Sequence, residues 1–534
     1  MAADAPDALP TGPHRAGREP LRLGLLAGSL LCLLLVGLAH PSVAAPPLGP
    51  AGWVPHLPDL PLGGWVVVAL QVAGYALGAA ALLRGLRVPS RLDIPWAAWA
   101  LVGGLVLLTV PYGTADHTNY AAYGHILVEG GDPWVTTPQD FGPDRITSAV
   151  QPPWEDTPSV YGPVATGLMG LSALVGGELP RQVVWVWQVL VIAAWLLGRA
   201  LLLRLTGDRE SVDTWWTGNV LVLGAGVLGA HVDLLATTAL VGALLATRVR
   251  GVPGALLAGA LAGVAASTKI TAGVVVVVLA WLYLRRDMEI GPQEDVQRAD
   301  PHTSAKGVGG SAKGLGSVAR GVGASAKGVG GSAKGAAARV VAVVLAGLAV
   351  AVPLHLWAGP NVFGQLLTAS DGVSYASPWR AVYTVLDLGV AEPSARAWVA
   401  RASAVLCVVL AVVLWRRLPG TDSGPQRLLL VLVTAYALGA AYVLPWYALP
   451  MWAALAWWVA DGGRAPRLLT ALVVQGAVVA IGYVPGRVRI PEDMATVTLA
   501  WRMVVVPLVT AIVWLLVLRP ARRPGRGRRG SARG

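Results

Sequence analysis

Residues 112–163, YGTADHTNYAAYGHILVEGGDPWVTTPQDFGPDRITSAVQPPWEDTPSVYGP, hold seven carboxylates: Asp116, Glu129, Asp132, Asp140, Asp144, Glu155 and Asp156. Apolar runs flank this polar stretch closely. Carboxylates there suit general-base work. An alcohol hydroxyl is a poor nucleophile at neutral pH, and a carboxylate within hydrogen-bond reach takes its proton as it attacks. Asp116 comes first, at the end of an apolar run. It opens Asp-His-Thr-Asn-Tyr-Ala-Ala-Tyr-Gly-His-Ile-Leu, which reads as a short amphipathic helix with Tyr120, Tyr123 and Leu127 on one face. Two roles stand open for Asp116 on pattern alone: a base, or an N-cap that accepts bonds from orphan backbone N–H groups.

Further along, Gly130-Gly131-Asp132-Pro133-Trp134 is a turn signal. Gln151 to Pro163 is a rigid, extended segment carrying Trp154, Asp156 and Tyr161. Its aromatic residues suit stacking on a sugar face or an ordinary interfacial belt. His231-Val232-Asp233 falls between two apolar runs; residues two apart share no helix face, so a bend is expected there. Lys269 also stands between apolar runs, where an ionisable group is a functional candidate. Its two roles are neutralising a phosphate and snorkelling to the interface. Tyr442 to Tyr447 reads as a structural aromatic turn. Asp132, Asp156 and Asp233 are the alternative bases.

Several chemistries lack their residues. There is no GxxxxGK[ST], HExxH or EF-hand loop. Cys32 and Cys407 both lie in apolar runs and offer neither a disulfide framework nor a Cys-rich metal site. No metal and no cofactor is expected. With no soluble nucleotide domain evident, a lipid-linked donor is the fitting energy source.

The elements that must position these residues are membrane helices. The chain is 55% hydrophobic and only 13% charged, with mean hydropathy +0.60; soluble domains carry about 25% charged residues. Hydrocarbon forces a backbone to satisfy its own polar groups, so the apolar runs are expected to be helices. Fourteen runs approach the ~20 residues a span needs: 21–39, 64–84, 94–112, 183–204, 213–230, 232–248, 252–268, 270–285, 338–357, 396–415, 426–443, 444–461, 466–485 and 497–518. The first run is followed by Ser42-Val43-Ala44, which resembles a signal-peptide cleavage site. A fifteenth, Gly-rich run at 163–178 is expected to be re-entrant or interfacial.

The net charge of +12 sits in short loops and in the tail after Arg519, where membrane topology puts it, so nucleic acid is not the expected partner. With 163–178 left outside the count, Arg84, Arg87, Arg204, Arg248, Arg285, Arg416 and Arg464 fall on one side with both termini. That side is expected to be cytoplasmic and the 113–182 loop extracytoplasmic. The domain reading is a cytoplasmic tail at 1–20, a transmembrane domain at 21–518 and a basic cytoplasmic tail at 519–534. Within it, 286–337 is a basic linker holding five seven-residue repeats from 304, such as SAKGVGG; their glycines oppose a helix and their lysines suit anionic lipid.

The motifs at Asp116–Gly124 (D-x-x-x-Y-A-A-Y-G), Gly130–Trp134 (G-x-D-P-W) and Trp154–Pro163 (W-x-D-T-P-S-x-Y-G-P) resemble those of polyprenol-phosphomannose-dependent α-1,6-mannopyranosyltransferases. These are actinobacterial enzymes of the GT-C fold. Gly229-Ala-His231-Val-Asp233 is similar to the family's Gly-Ala-His-Asn-Asp, with Val232 in place of Asn. Ser267-Thr268-Lys269 and Pro445-Trp446-Tyr447 are similar to two later segments. The resemblance implies a GT-C-type fold with a large first catalytic extracytoplasmic loop. It further implies metal-independent, inverting transfer from a β-mannosyl phospholipid to an α-1,6-mannan or lipoglycan acceptor, with Asp116 as general base. Tyr120, Tyr123, Asp132, Trp154, Asp156, Tyr161, His231, Asp233 and Lys269 are the candidate substrate-binding residues. A GT-C enzyme of other sugar or acceptor specificity, and a transporter of lipid-linked sugars, are the rival readings.

Overall fold

The computed structural model describes residues 19–88, 92, 94–290, 316–364, 372–419, 424–487 and 489–519, with backbone alone for 286–290 and 316–333. The tails beyond this range and the first repeats of the 286–337 stretch lie outside the described residues. Every regular element among the described residues is helical, and one isolated bridge joins Ala39 to Leu60. Proline marks many helix starts: Pro20, Pro163, Pro180, Pro425 and Pro466 each stand at the first position, where no backbone N–H is needed.

Seven helices are long and apolar enough to cross a membrane: α1 (Pro20–Gly37), α2 (Gly64–Arg87), and helices Pro180–Thr206, Gly251–Thr268, Lys334–Ala358, Glu392–Arg417 and Glu492–Leu518. All seven lie on expected runs. Others are shorter, among them α3 (Trp96–Leu107), Asp233–Ala246, Pro425–Gly439 and Pro466–Ile481. Leu345, Leu348, Val405, Val408, Leu508 and Leu515 are each more than half exposed on three of the long helices, an apolar girdle suited to lipid.

Two expectations need correction. The run at 213–230 is not one helix. It breaks into a π-helix at Asp213–Thr217, a turn at Gly218, one helical turn at Val220–Val222 and a second π-helix at Leu223–Leu228. Glycine-rich sequence (LGAGVLGA) weakens the helix, and burial on all sides lets packing decide its course. The basic repeats also differ from the expected loose linker. A helix runs from Gly316 to Ala358, so the later repeats are helical. They extend an apolar helix that already exists, and elongation avoids the nucleation penalty.

The polar loop packs on this frame. α4 (Asp116–Val128) opens it, and helix Pro163–Gly176 closes it. At fourteen residues, about 21 Å long, the latter is shorter than a ~30 Å hydrocarbon core. Two motif glycines explain how closely these pieces meet. A Cβ at Gly124 would lie 2.2 Å from the Met169 carbonyl oxygen, and one at Gly162 would lie 2.2 Å from that of Ser267.

Gly124→Ala is therefore expected to lower stability by about 1–3 kcal/mol, the usual cost of overpacking. Gly104→Ala is the control, because its added methyl meets open space; it should melt at or slightly above wild type. Thermal melts of the two purified variants test the pair.

Candidate active site

Asp116 occupies the first turn of α4, but the cap position is Ala115 and its side chain makes no capping bond. The carboxylate is therefore not consumed by the helix end. Its backbone N–H donates to Thr114 Oγ1 at 2.8 Å, and only 8% of the residue is exposed. Burial lifts the carboxyl from the ordinary value to about 6. A hydrogen bond from Thr114 and the positive charge of Lys269 pull the other way, and Asp233 pushes up. The outcome is a carboxylate poised near neutrality, the condition for general-base work.

His231 faces it. Nδ1 lies 3.6 Å from Asp116 Oδ2 and 3.3 Å from the Tyr120 hydroxyl. The expected bend is present and strained: Ala230 takes φ 53°, rare for a residue with a Cβ. Trp187 Nε1 donates to the Ala230 carbonyl at 2.7 Å, and the His231 N–H donates to the Gly226 carbonyl at 2.9 Å. These two bonds hold the imidazole at the end of the second π-helix. Trp446 stacks on it with centroids 3.6 Å apart and planes 14° apart.

Lys269 and Asp233 complete the centre. Nζ donates to Asp233 Oδ1 at 2.6 Å and sits 3.8 Å from the centroid of the Tyr447 ring. The ion pair ties the end of helix Gly251–Thr268 to the start of helix Asp233–Ala246. Tyrosines wall the other side. Tyr120 meets Tyr161 edge-on at 5.1 Å and Trp187 at 5.1 Å; Tyr123 lies 6.3 Å from Tyr161 and donates to the Thr157 carbonyl at 2.8 Å.

Seven sequence candidates thus converge: Asp116, Tyr120, Tyr123, Tyr161, His231, Asp233 and Lys269. Trp446 and Tyr447, read as structural, join them. The other three candidates make no hydrogen bond, ion pair or ring contact with this cluster. Asp132 is exposed and accepts from the Trp134 backbone N–H at 2.9 Å, the work of a turn. Asp156 is exposed within a short 3-10 helix, and Trp154 packs half-buried on a minor core under the loop.

Two residues went unnoticed in the sequence. Gln71 of α2 is 1% exposed and donates to the Pro485 carbonyl at 3.2 Å. Arg502 donates from Nε to the Gly482 carbonyl at 2.8 Å and lies 4.2 Å from the Tyr483 ring centroid, within another π-helix. No carboxylate among the described residues pairs with it. A lone polar residue in each apolar run was the available signal.

Fold and site together define a polytopic helical membrane protein with a buried carboxylate–imidazole centre at the end of its helix bundle. Residues 21–285, about half of the chain, match the model of the alpha-(1->6)-mannopyranosyltransferase N-terminal domain, the MptA_B family, and the protein belongs to that family. Alpha-(1->6)-mannopyranosyltransferase A of Mycobacterium tuberculosis (strain ATCC 25618 / H37Rv) is 30% identical over 189 residues. That match spans 34% of this chain and about a third of the relative's length, 35%. No solved structure matches the chain.

Removing one partner of the buried ion pair strands the other. Lys269→Met is expected to cost about 3–5 kcal/mol, and Lys269→Met/Asp233→Leu to recover most of it. Melting temperatures of the single and double variants check this; equal losses in both would contradict it.

Proposed function

We propose that this protein is a membrane mannosyltransferase of GT-C type that transfers mannose from a polyprenyl-phosphate mannose to an α-1,6-mannan or lipoglycan. The single observation that carries the reading is Asp116: buried, unused as a cap, lifted to about 6, and facing His231 in a chain of this family. An acceptor hydroxyl attacks the anomeric carbon of the donor sugar. Its proton passes to an Asp116 carboxylate oxygen as the new C–O bond forms. The old bond from the anomeric carbon to the phosphate oxygen breaks, and its electron pair leaves on the phosphate. A phosphate monoester needs no proton to depart, so one carboxylate suffices. Attack from the face opposite the leaving group inverts the β-linked donor to an α-linked product.

Each neighbour then has a task. His231 and Tyr120 orient the Asp116 carboxylate, and Tyr123 and Tyr161 shape the sugar-facing wall. Lys269 is already paired with Asp233, so its part is to hold that carboxylate and lend positive potential to Asp116. Arg502 supplies the cation for the phosphate. Asp132, Trp154 and Asp156 shape the loop and its outer rim.

The reading keeps the fourteen-crossing topology, with split and short helices completing the seven long ones. Positive charge in the short loops supports a cytoplasmic side that holds both termini, leaving the Asp116 loop extracytoplasmic. The 1–20 tail, the 21–518 membrane domain, the basic 286–337 stretch and the 519–534 tail keep the division drawn above.

Asp116→Asn tests the proposal with radiolabelled polyprenyl-phosphate mannose and short α-1,6-mannosides. Transfer should fall about 10²–10⁴-fold. Wild-type activity should also fall below pH about 6 in step with protonation of one group. Stability moves the other way. A carboxyl raised above its unfolded value costs the fold once ionised, so at pH 7.5 the Asn variant should melt at or above wild type. Retained transfer by Asp116→Asn would overturn the base assignment. Translocation of the donor without a new glycosidic bond would mark a transporter instead.

A further inference from the structure

Helix Trp379–Asp387 (WRAVYTVLD) has three faces in three different surroundings. Trp379, Tyr383 and Leu386 recur at the helical period. They pack in a small core with Ala441 and with Ala395 and Val399 of helix Glu392–Arg417. Arg380, Thr384 and Asp387 form a polar stripe, with the Arg380 Cζ 4.3 Å from the Tyr375 ring centroid and 5.0 Å from that of Tyr383. Val382, Val385 and Leu388 make the third stripe, and they are 43%, 69% and 86% exposed among the described residues. A contiguous apolar stripe left open on an otherwise packed helix calls for an apolar partner.

The level of that stripe follows from what its helix packs on. At about 1.5 Å per residue, Ala395 and Val399 stand about 26–32 Å along helix Glu392–Arg417 from Arg416. A hydrocarbon core is about 30 Å thick, and Arg416 and Arg417 close the helix at its far end. Helix Trp379–Asp387 therefore lies at the opposite boundary. Neighbouring residues mark the same level: Trp398 is exposed with the Arg401 Cζ 5.7 Å from its ring centroid, and Arg396 is exposed as well. Exposed Trp and Arg are anchors of a membrane–water interface. Val405 and Val408, deeper on the same helix, belong to the apolar girdle. A second copy suits the stripe poorly. A nine-residue helix is about 14 Å long and 10–12 Å across, so one face offers roughly 150 Å², against about 800 Å² per partner in a stable protein interface.

We propose that helix Trp379–Asp387 lies in the membrane interface on the Asp116 side, with Val382, Val385 and Leu388 among the acyl chains of bilayer lipid and Arg380, Thr384 and Asp387 towards headgroups and water. The helix is fastened to the site. Trp379 Nε1 donates to the Gly439 carbonyl at 2.8 Å, and the Ser374 N–H donates to the Ala441 carbonyl at 3.1 Å. The Ser374 hydroxyl lies 3.3 Å from that of Tyr483, whose ring meets Trp446 at 6.0 Å, and Trp446 stacks on His231. The interfacial helix thereby holds the His231 centre at the height of the membrane boundary, whatever reaction runs there.

Spin labels on Val385→Cys, Leu388→Cys and Thr384→Cys, each in a Cys32→Ser/Cys407→Ser background, read this directly. The full chain is placed in phospholipid vesicles free of polyprenyl lipid, and the ratio of oxygen to nickel-chelate accessibility gives the depth of each label. The labels at 385 and 388 should sit about 5–10 Å inside the headgroup–acyl boundary, and the label at 384 at or above it. Labels at 385 and 388 that the nickel chelate reaches as readily as the one at 384 leave the stripe in water and overturn the proposal. Shielding of 385 and 388 from both reagents overturns it too, and spin–spin broadening that unlabelled protein relieves would identify the cover as a second copy. Should the Cys variants fail to fold, wild type decides, in vesicles whose phospholipid carries a diazirine on the upper acyl chain. Photolabelled residues within 382–388 support the insertion, and labelling confined to helix Glu392–Arg417 overturns it.

Discussion

The Lys269–Asp233 ion pair is the interaction on which the centre depends. Three ionisable side chains, Asp116, Asp233 and Lys269, are withdrawn from water within one cluster, and the 2.6 Å bond neutralises two of them. Asp116 is left as the carboxylate of the cluster with no Lys or Arg bonded to it, facing His231 Nδ1 at 3.6 Å instead. Were Asp233 unpaired, a second negative charge would push Asp116 further towards its neutral form. The pair also joins the ends of two helices, so the electrostatics of Asp116 and the packing of the bundle rest on the same contact.

The opposite treatment of charge marks another part of the bundle. Arg199 meets Asp213 through two bonds of 2.8 and 3.0 Å, both side chains buried, while Arg22 binds Glu210 at 2.8 Å and Thr214 at 2.7 Å. There the charges are matched, forming a clamp between α1, helix Pro180–Thr206 and the start of the broken segment. Around His231 the groups are only partly satisfied: Gln71, His231 and Asp233 each keep an open polar atom. Buried polar groups are ordinarily all partnered, so the open atoms set this cluster apart from the clamp.

Irregular backbone occurs on both sides of this contrast, since the first π-helix carries Asp213 and Thr214 of the clamp. The second π-helix leads into the left-handed Ala230, and another π-helix carries Arg502. Strain of this kind persists where the surroundings over-determine it. Here Trp187 at the Ala230 carbonyl and the Gly226 carbonyl at the His231 N–H fix the backbone, and Trp446 stacks on the imidazole.

Much of this was legible from residue order alone. Apolar runs gave the helices because a backbone in hydrocarbon has no other way to satisfy itself, and the seven long helices all lie on expected runs. The Asp116 stretch stood out because carboxylates and tyrosines are rare between such runs, and the family motifs sit in it. Tertiary structure decided what periodicity does not encode. Whether Asp116 caps α4 or faces His231 depends on the partner opposite, 115 residues away. Whether 213–230 runs straight depends on the packing that surrounds it, and Asp132 and Asp116 look alike in sequence until one is exposed at a turn and the other buried. Gln71 was invisible for the same reason: its hydrogen-bond partner, the Pro485 carbonyl, stands 414 residues along the chain and only folding brings the two together.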